Sequence, residues 1–158
     1  MQPWVTAMLK ALIAVMVALL LASQLLVIPE LASVTAERNP DVAQLEMPGI
    51  IAAILFLALV QVALICVWRL VSLVRADQIF SSRSFLYVDV ILAMLMAAGA
   101  LIAVSIAVMS SARSVSPSVL LLATLGFVIS VAMALLVIVL RGLLTKALQL
   151  EQDMSEVV

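Results

Sequence analysis

Two carboxylates, Asp77 and Asp89, are the acidic side chains best placed to share chemistry, because they lie around the junction between the second and third apolar segments. Paired carboxylates can act as general acid and general base. The sequence has no histidine and only one cysteine, Cys66, which excludes Ser–His–Asp and Cys–His catalysis and the commonest zinc ligand. It also lacks a phosphate-binding loop and EF-hand spacing. We therefore expect no enzyme, no metal and no cofactor, with both carboxylates stabilising contacts between helices.

Composition indicates that lipid surrounds these residues. Apolar residues make up 67% of the 158 residues and charged residues 11%, whereas soluble domains have about 45–50% and 25%. A water-soluble chain of this length cannot bury so much apolar surface. The net charge of −1 argues against direct binding of nucleic acid, which requires a dense basic surface.

Four segments are long and apolar enough to cross a bilayer as helices, which takes about 20 residues. They lack the alternation of a membrane β-barrel, and helices satisfy their own backbone hydrogen bonds in hydrocarbon. The fold class expected is therefore all-α, a single four-helix transmembrane bundle over 1–158, with spans at about 7–28, 49–68, 88–109 and 119–140. We expect the first span to remain uncleaved because its apolar core is long for a signal peptide, although Val34 and Ala36 resemble a cleavage site.

Basic residues set the expected orientation, since they concentrate in cytoplasmic loops. Arg38 and Arg113 fall on one side of the spans, and six fall on the other: Lys10, Arg69, Arg75, Arg83, Arg141 and Lys146. Both termini and the middle loop are therefore expected in the cytoplasm. The outer loop from Pro29 to Pro48 has a net charge of −3 and is expected to be mostly irregular. Pro117 is expected to begin the fourth helix.

The inner connection is expected to form a short helical hairpin beyond the bilayer. Its second helix would end near Asp77, and Ser81 or Ser82 would cap the third helix while Phe80 packs against Phe85. Asp89 should face inward and meet Arg69, Arg141 or interfacial water, because an unpaired carboxylate there is unfavourable. The expected cytoplasmic interface comprises Arg69, Arg75, Asp77, Phe80, Ser81, Arg83, Asp89, Arg141 and Lys146.

The fourth helix should continue into the cytoplasm over 141–153, because apolar residues recur there with helical spacing. This stripe comprises Leu140, Leu143, Leu144, Ala147, Leu150 and Met154. We expect it to pack against the inner hairpin, the usual fate of such a stripe. The alternative is a docking face for a cytoplasmic partner.

Small residues recur at four-residue intervals on three helices and predict close helix packing. The ridges with glycine are the stronger signals, because glycine within a helix is unfavourable by about 1 kcal/mol relative to alanine. The expected packing residues are Gly99, Ala103 and Ala107 on the third helix and Gly126, Ser130 and Ala134 on the fourth; Ala14, Ala18 and Ala22 form a weaker ridge.

Intramembrane polar residues can be matched by depth. The helical rise brings Gln61 level with Ser130 and Gln24 level with Ser105, so we expect hydrogen bonds between these helices. A transport pathway is less well supported, since such pathways usually contain ionisable groups.

Two stretches carry a family resemblance: RADQIFSSRSFLYVDVI, followed by a glycine in the third span, and LRGLLTKALQLEQDMSEVV after the fourth. Together they resemble a bacterial family catalogued as domain of unknown function 2975. The resemblance implies a four-span inner-membrane protein without known catalytic residues. Genes of that family often lie beside one for a small helix-turn-helix regulator, which implies such a regulator as partner.

The favoured function is therefore a non-enzymatic membrane protein whose cytoplasmic face binds a protein partner. The alternative is a small transporter or channel component, acting as a homo-oligomer.

Overall fold

A computed structural model describes residues 3–38, 40–75, 82–111 and 117–156, and all the regular structure in these ranges is helical. The helices are α1 (Pro3–Ala22), α2 (Ile28–Arg38), α3 (Glu46–Arg75), α4 (Ser82–Ser111) and α5 (Pro117–Glu156). Within the described residues, four stretches are long and apolar enough to cross a membrane: Trp4–Arg38, Ala43–Leu73, Ser84–Ser111 and Pro117–Glu156. The prediction of an all-α protein with four long apolar helices is confirmed for this part of the chain.

The first helix does not end at Pro29, and the expectation of a mostly irregular loop from there to Pro48 was wrong. A π-helical turn, Ser23–Val27, joins α1 to α2, and the Ile28 N–H donates to the Ser23 carbonyl five residues back. Proline has no N–H to donate and clashes with the carbonyl four residues before it in a regular α-helix. The wider turn accommodates Pro29, so the chain stays helical to Arg38 and then forms a 3₁₀ segment, Pro40–Leu45.

The start of α3 carries an acidic residue, Glu46. A carboxylate is favourable there because the N-terminus of a helix carries partial positive charge. Within α2, the hydroxyls of Ser33 and Thr35 donate to the carbonyls of Glu30 and Leu31.

Helices α3 and α4 are 30 residues long each, about 45 Å at the usual rise and longer than a hydrocarbon core of about 30 Å. The end of α3 at Arg75 and the start of α4 at Ser82 bracket the expected inner hairpin. Asp77, Phe80 and Ser81, with their expected helix-ending, staple and capping roles, lie outside the described residues, as do the side chains of Arg75 and Arg83.

The last helix begins at Pro117, as expected, and runs without a break for 40 residues. Its length, about 60 Å, is twice that of the hydrocarbon core. The segment 141–153 is therefore a direct continuation of the apolar part of α5.

The long helices make contact in sequence order. Helix α1 lies against α3, α3 against α4, and α4 against α5. Among the described residues, no Cα atom of α5 comes within 8 Å of one in α1, α2 or α3, and none of α4 comes that close to α1. The buried apolar core of these residues is small: Ile13, Cys66, Ala98 and Ala134. Most leucines are exposed, which suits a chain solvated by lipid.

Candidate functional site at one end of the helices

An ion pair joins α4 to α5. The Arg141 Nη2 atom lies 3.0 Å from Asp89 Oδ2, and the two side chains are 45% and 44% exposed, respectively. Of the two arginines considered from sequence, Arg141 is therefore the partner of Asp89. The second oxygen, Asp89 Oδ1, is buried and has no hydrogen-bond partner among the described residues. The pair holds α5 against α4 where the long apolar stretch of α5 ends.

A second cationic contact joins α1 to α3. The Lys10 ammonium lies 5.8 Å from the centroid of the Trp68 ring, within the range of a cation–π interaction. Arg69, the next residue, is exposed and has no ion pair with any described residue. From the sequence we placed Lys10 on the cytoplasmic side of the spans but did not pair it with Trp68.

These contacts gather charge at one end of the helices. Arg69 lies about two turns before the end of α3, and Asp89 about two turns after the start of α4. Because 76–81 connects these two helix ends, both residues lie near the same end of the protein. Lys146 lies beyond Arg141 on α5 and is exposed.

Helices α4 and α5 pack closely around Gly99. The Ser130 hydroxyl on α5 donates to the Leu95 carbonyl on α4 at 2.9 Å. A methyl group built on Gly99 would lie 3.3 Å from Ser130 Oγ, closer than a comfortable van der Waals contact. Ser130 is 8% exposed and Ala134 is 3% exposed. Glycine at 99 therefore lets the two backbones come together.

The rest of the expected small-residue packing is different. Ala103 and Ala107 are exposed, so they are not part of the surface of α4 that contacts α5. Four residues turn about 400° around a helix, so residues at four-residue intervals move progressively away from the contact face. A methyl on Gly126 would lie 3.8 Å from Ile102 Cδ1, an ordinary contact. The packing of α4 against α5 therefore does not require a glycine at position 126. The weaker ridge on α1, Ala14, Ala18 and Ala22, is also exposed.

The hydrogen bonds expected between depth-matched residues do not form. Ser130 donates to Leu95, and Ser105 donates to the Leu101 carbonyl of its own helix at 2.8 Å. Gln24 Nε2 reaches the Ile54 carbonyl on α3 at 3.4 Å, a long bond. The two pairs were matched by expected depth, but in each pair the two helices are not in contact.

Gln61 is left with a buried amide. Its Nε2 atom has no hydrogen-bond partner among the described residues, and an unsatisfied buried donor is unfavourable by about 1–3 kcal/mol. We predict that Gln61→Leu, a change of similar volume, raises the melting temperature of the protein in detergent or leaves it unchanged. Gln24→Leu is the control, since it removes an existing bond and should give no gain. Marked destabilisation by Gln61→Leu would contradict the prediction.

An open groove of about 610 Å³ lies between α1 and α3. Its walls are mostly apolar, and its lining includes Ile13, Ala14, Ala18, Leu21, Ile65 and Trp68. Arg69 lines the end where Lys10 meets Trp68. In the described ranges, no three acidic, histidine or cysteine side chains come together in a way that could hold a metal ion.

Comparison with known proteins gives one finding about the family. The model of a family described as "Protein of unknown function (DUF2975)" matches residues 30–158. This range includes nearly all of α2 and all of α3, α4 and the described part of α5. No curated protein and no solved structure matches the chain.

Proposed function

The chain belongs to the DUF2975 family of proteins of unknown function, and because this membership assigns no activity, we propose a function from the exposed surfaces of the protein. It is a non-enzymatic, multi-pass membrane protein that binds a partner through the end of α5. The partner that the sequence resemblance implies is a small helix-turn-helix regulator. Residues 141–156 continue α5 for about 24 Å past the Asp89–Arg141 ion pair.

The observation that carries the proposal is the exposed apolar stripe on this continuation. Leu143, Leu150 and Met154 are 59%, 65% and 74% exposed, respectively. The expectation that the stripe packs back against the inner hairpin was therefore wrong for these three residues; of the expected stripe, only Leu144 is partly buried. An apolar stripe on a helix outside the bilayer favours contact with another protein.

The spacing of the stripe indicates the kind of contact. Leu143, Ala147, Leu150 and Met154 follow one another at intervals of four, three and four residues, the spacing of a coiled-coil seam. Glu151 and Asp153 leave polar groups beside the seam. This pattern suits a helix of the partner lying along α5, with apolar anchors one turn apart.

The proposal predicts that binding depends on these anchors. In the purified protein, Leu143→Ala with Leu150→Ala should weaken binding to a small helix-turn-helix regulator encoded beside a gene of this family by at least about tenfold, since each change removes a large side chain that the partner would bury. Binding of the labelled regulator to protein in detergent or nanodiscs measures the effect. Gln149→Ala with Gln152→Ala is the control away from the seam. Wild-type binding that is absent, or unaffected by the leucine changes, would reject the proposal.

We also propose that this end of the helices faces the cytoplasm of a bacterial cell, in its inner membrane, with both termini inside. The support is the clustering of basic residues at one end. Fusions truncated after Arg38 should activate alkaline phosphatase, which works outside, while fusions after Arg83 should give fluorescent protein signal, which forms inside. The same compartment for both positions would overturn the orientation.

A further inference from the structure

The groove between α1 and α3 has the shape and charge of a lipid site, and we propose that it binds an anionic phospholipid, with an acyl chain along the groove and the phosphate at Arg69 and Lys10. Its volume, about 610 Å³, is within the range of small-molecule sites. Ala14 and Ala18 form part of one wall, and their short side chains leave the space that a larger residue would fill. The proposal is independent of any partner of α5.

The length of the groove matches one leaflet. Its α1 lining runs from Ile13 to Leu21, a rise of roughly 12 Å, and half of a hydrocarbon core is about 15 Å. The cations lie at one end of this run, beside Trp68. Tryptophan is favoured at the headgroup level of a membrane. An acyl chain in the groove would therefore have its headgroup beside the cations.

Among the described residues, no acidic side chain forms an ion pair with Lys10 or Arg69. Helix α1 has no acidic residue, and the one in α3, Glu46, begins that helix at its far end from Arg69. The ion pair found among the described residues, Asp89 with Arg141, joins α4 to α5 and does not involve Lys10 or Arg69. Phosphate complements this arrangement, because arginine binds it through two N–H groups and lysine contributes a point charge.

Trp68 both shapes the site and reports on it. The ring lines the groove, and the Lys10 ammonium lies 5.8 Å from its centroid. Arg69 follows Trp68 in α3 and also lines the groove. The chain has two tryptophans, and Trp4→Phe leaves Trp68 as the only one. Bromine attached to a lipid near its headgroup quenches tryptophan fluorescence only on contact.

The experiment uses Trp4→Phe protein in phosphatidylcholine vesicles that contain a small, fixed fraction of brominated lipid. Brominated phosphatidylglycerol should quench Trp68 with an apparent affinity roughly fivefold or more above that of brominated phosphatidylcholine. Unlabelled phosphatidylglycerol should reverse this quenching, whereas free glycerol phosphate should not. Reversal by glycerol phosphate would overturn the proposal of a membrane lipid.

Two sets of variants separate the site from general attraction to a charged surface. Lys10→Gln with Arg69→Gln should abolish the preference for phosphatidylglycerol over phosphatidylcholine. Lys146→Gln, which removes a cation on the α5 extension, should leave this preference unchanged. Ala14→Leu keeps both charges but fills the groove, and it should reduce the preference; Ala132→Leu, an exposed position on α5, should not. Unchanged helicity and elution volume show that each variant is folded.

The proposal is overturned if both brominated lipids quench Trp68 equally. It is also overturned if the preference for phosphatidylglycerol remains in the Lys10→Gln/Arg69→Gln variant or in the Ala14→Leu variant. It is also overturned if lipid fails to quench and Ala18→Cys proteins cross-link as dimers, since a second copy of the chain then occupies the groove.

Discussion

Gly99→Ala should lower the melting temperature of the protein in detergent, whereas Gly126→Ala should leave it unchanged or raise it. The added methyl at Gly99 meets Ser130 Oγ at 3.3 Å, and Ser130 is held by its bond to Leu95. Overpacking of this kind is unfavourable by about 1–3 kcal/mol, against a gain of about 1 kcal/mol in helix propensity. At Gly126 only the gain in helix propensity applies, because the added methyl would lie 3.8 Å from its nearest neighbour, Ile102 Cδ1.

A second change tests the cause. Ser130→Ala removes the oxygen that crowds the new methyl, at the loss of a hydrogen bond worth about 0.6 kcal/mol in membrane helices. The double variant Gly99→Ala/Ser130→Ala should therefore be more stable than the two separate losses predict. Additive losses, or equal effects of alanine at the two glycines, would show that the close approach of α4 and α5 is not the reason for Gly99.

Removing one partner of the α4–α5 ion pair should destabilise the protein more than removing an unpaired charge. Asp89→Leu leaves the Arg141 guanidinium without its 3.0 Å contact at the end of the apolar stretch of α5, where a lone charge is unfavourable. We expect a loss of roughly 1 kcal/mol, because the pair is nearly half exposed. The measurement is thermal unfolding in detergent at low and high salt, since salt screens exposed pairs.

The charge swap supplies the internal control. Asp89→Arg with Arg141→Asp restores opposite charges across the same helices and should recover most of the loss, while Lys146→Leu, an exposed residue with no described ion pair, should have little effect. A swapped protein as unstable as the single variants would mean that the contact depends on more than charge.

Helix type and number were predictable because they depend on local composition. Four apolar stretches in a chain with 11% charged residues have few alternatives in lipid, and proline at 117 marks a helix start. Pro29 is the exception. We expected the first helix to end there, but the π-helical turn before it lets the chain remain helical to Arg38.

The spatial order of the helices was not predictable in the same way. Depth along a helix can be calculated from residue number, which led us to match Gln61 with Ser130. Which helices are neighbours depends on the packing of all helices together. For Asp89 the sequence left Arg69, Arg141 and water as possible partners, and the adjacency of α4 and α5 selects Arg141. The groove between α1 and α3 was missed, although Lys10 and the alanines of α1 had each been noted, because the width of the groove depends on how the helices pack.

The unbroken α5 helix has a mechanical consequence. Its described contacts with α4 include Ser130, from which roughly 36 Å of helix leads to Met154 and roughly 20 Å to Pro117. If α5 tilted as a rigid rod about Ser130, its two ends would move in opposite directions, with the Pro117 end moving a little over half as far. The Asp89–Arg141 ion pair, roughly 16 Å along α5 from Ser130, would have to break for this tilt to occur, so the pair resists sideways movement of the α5 extension.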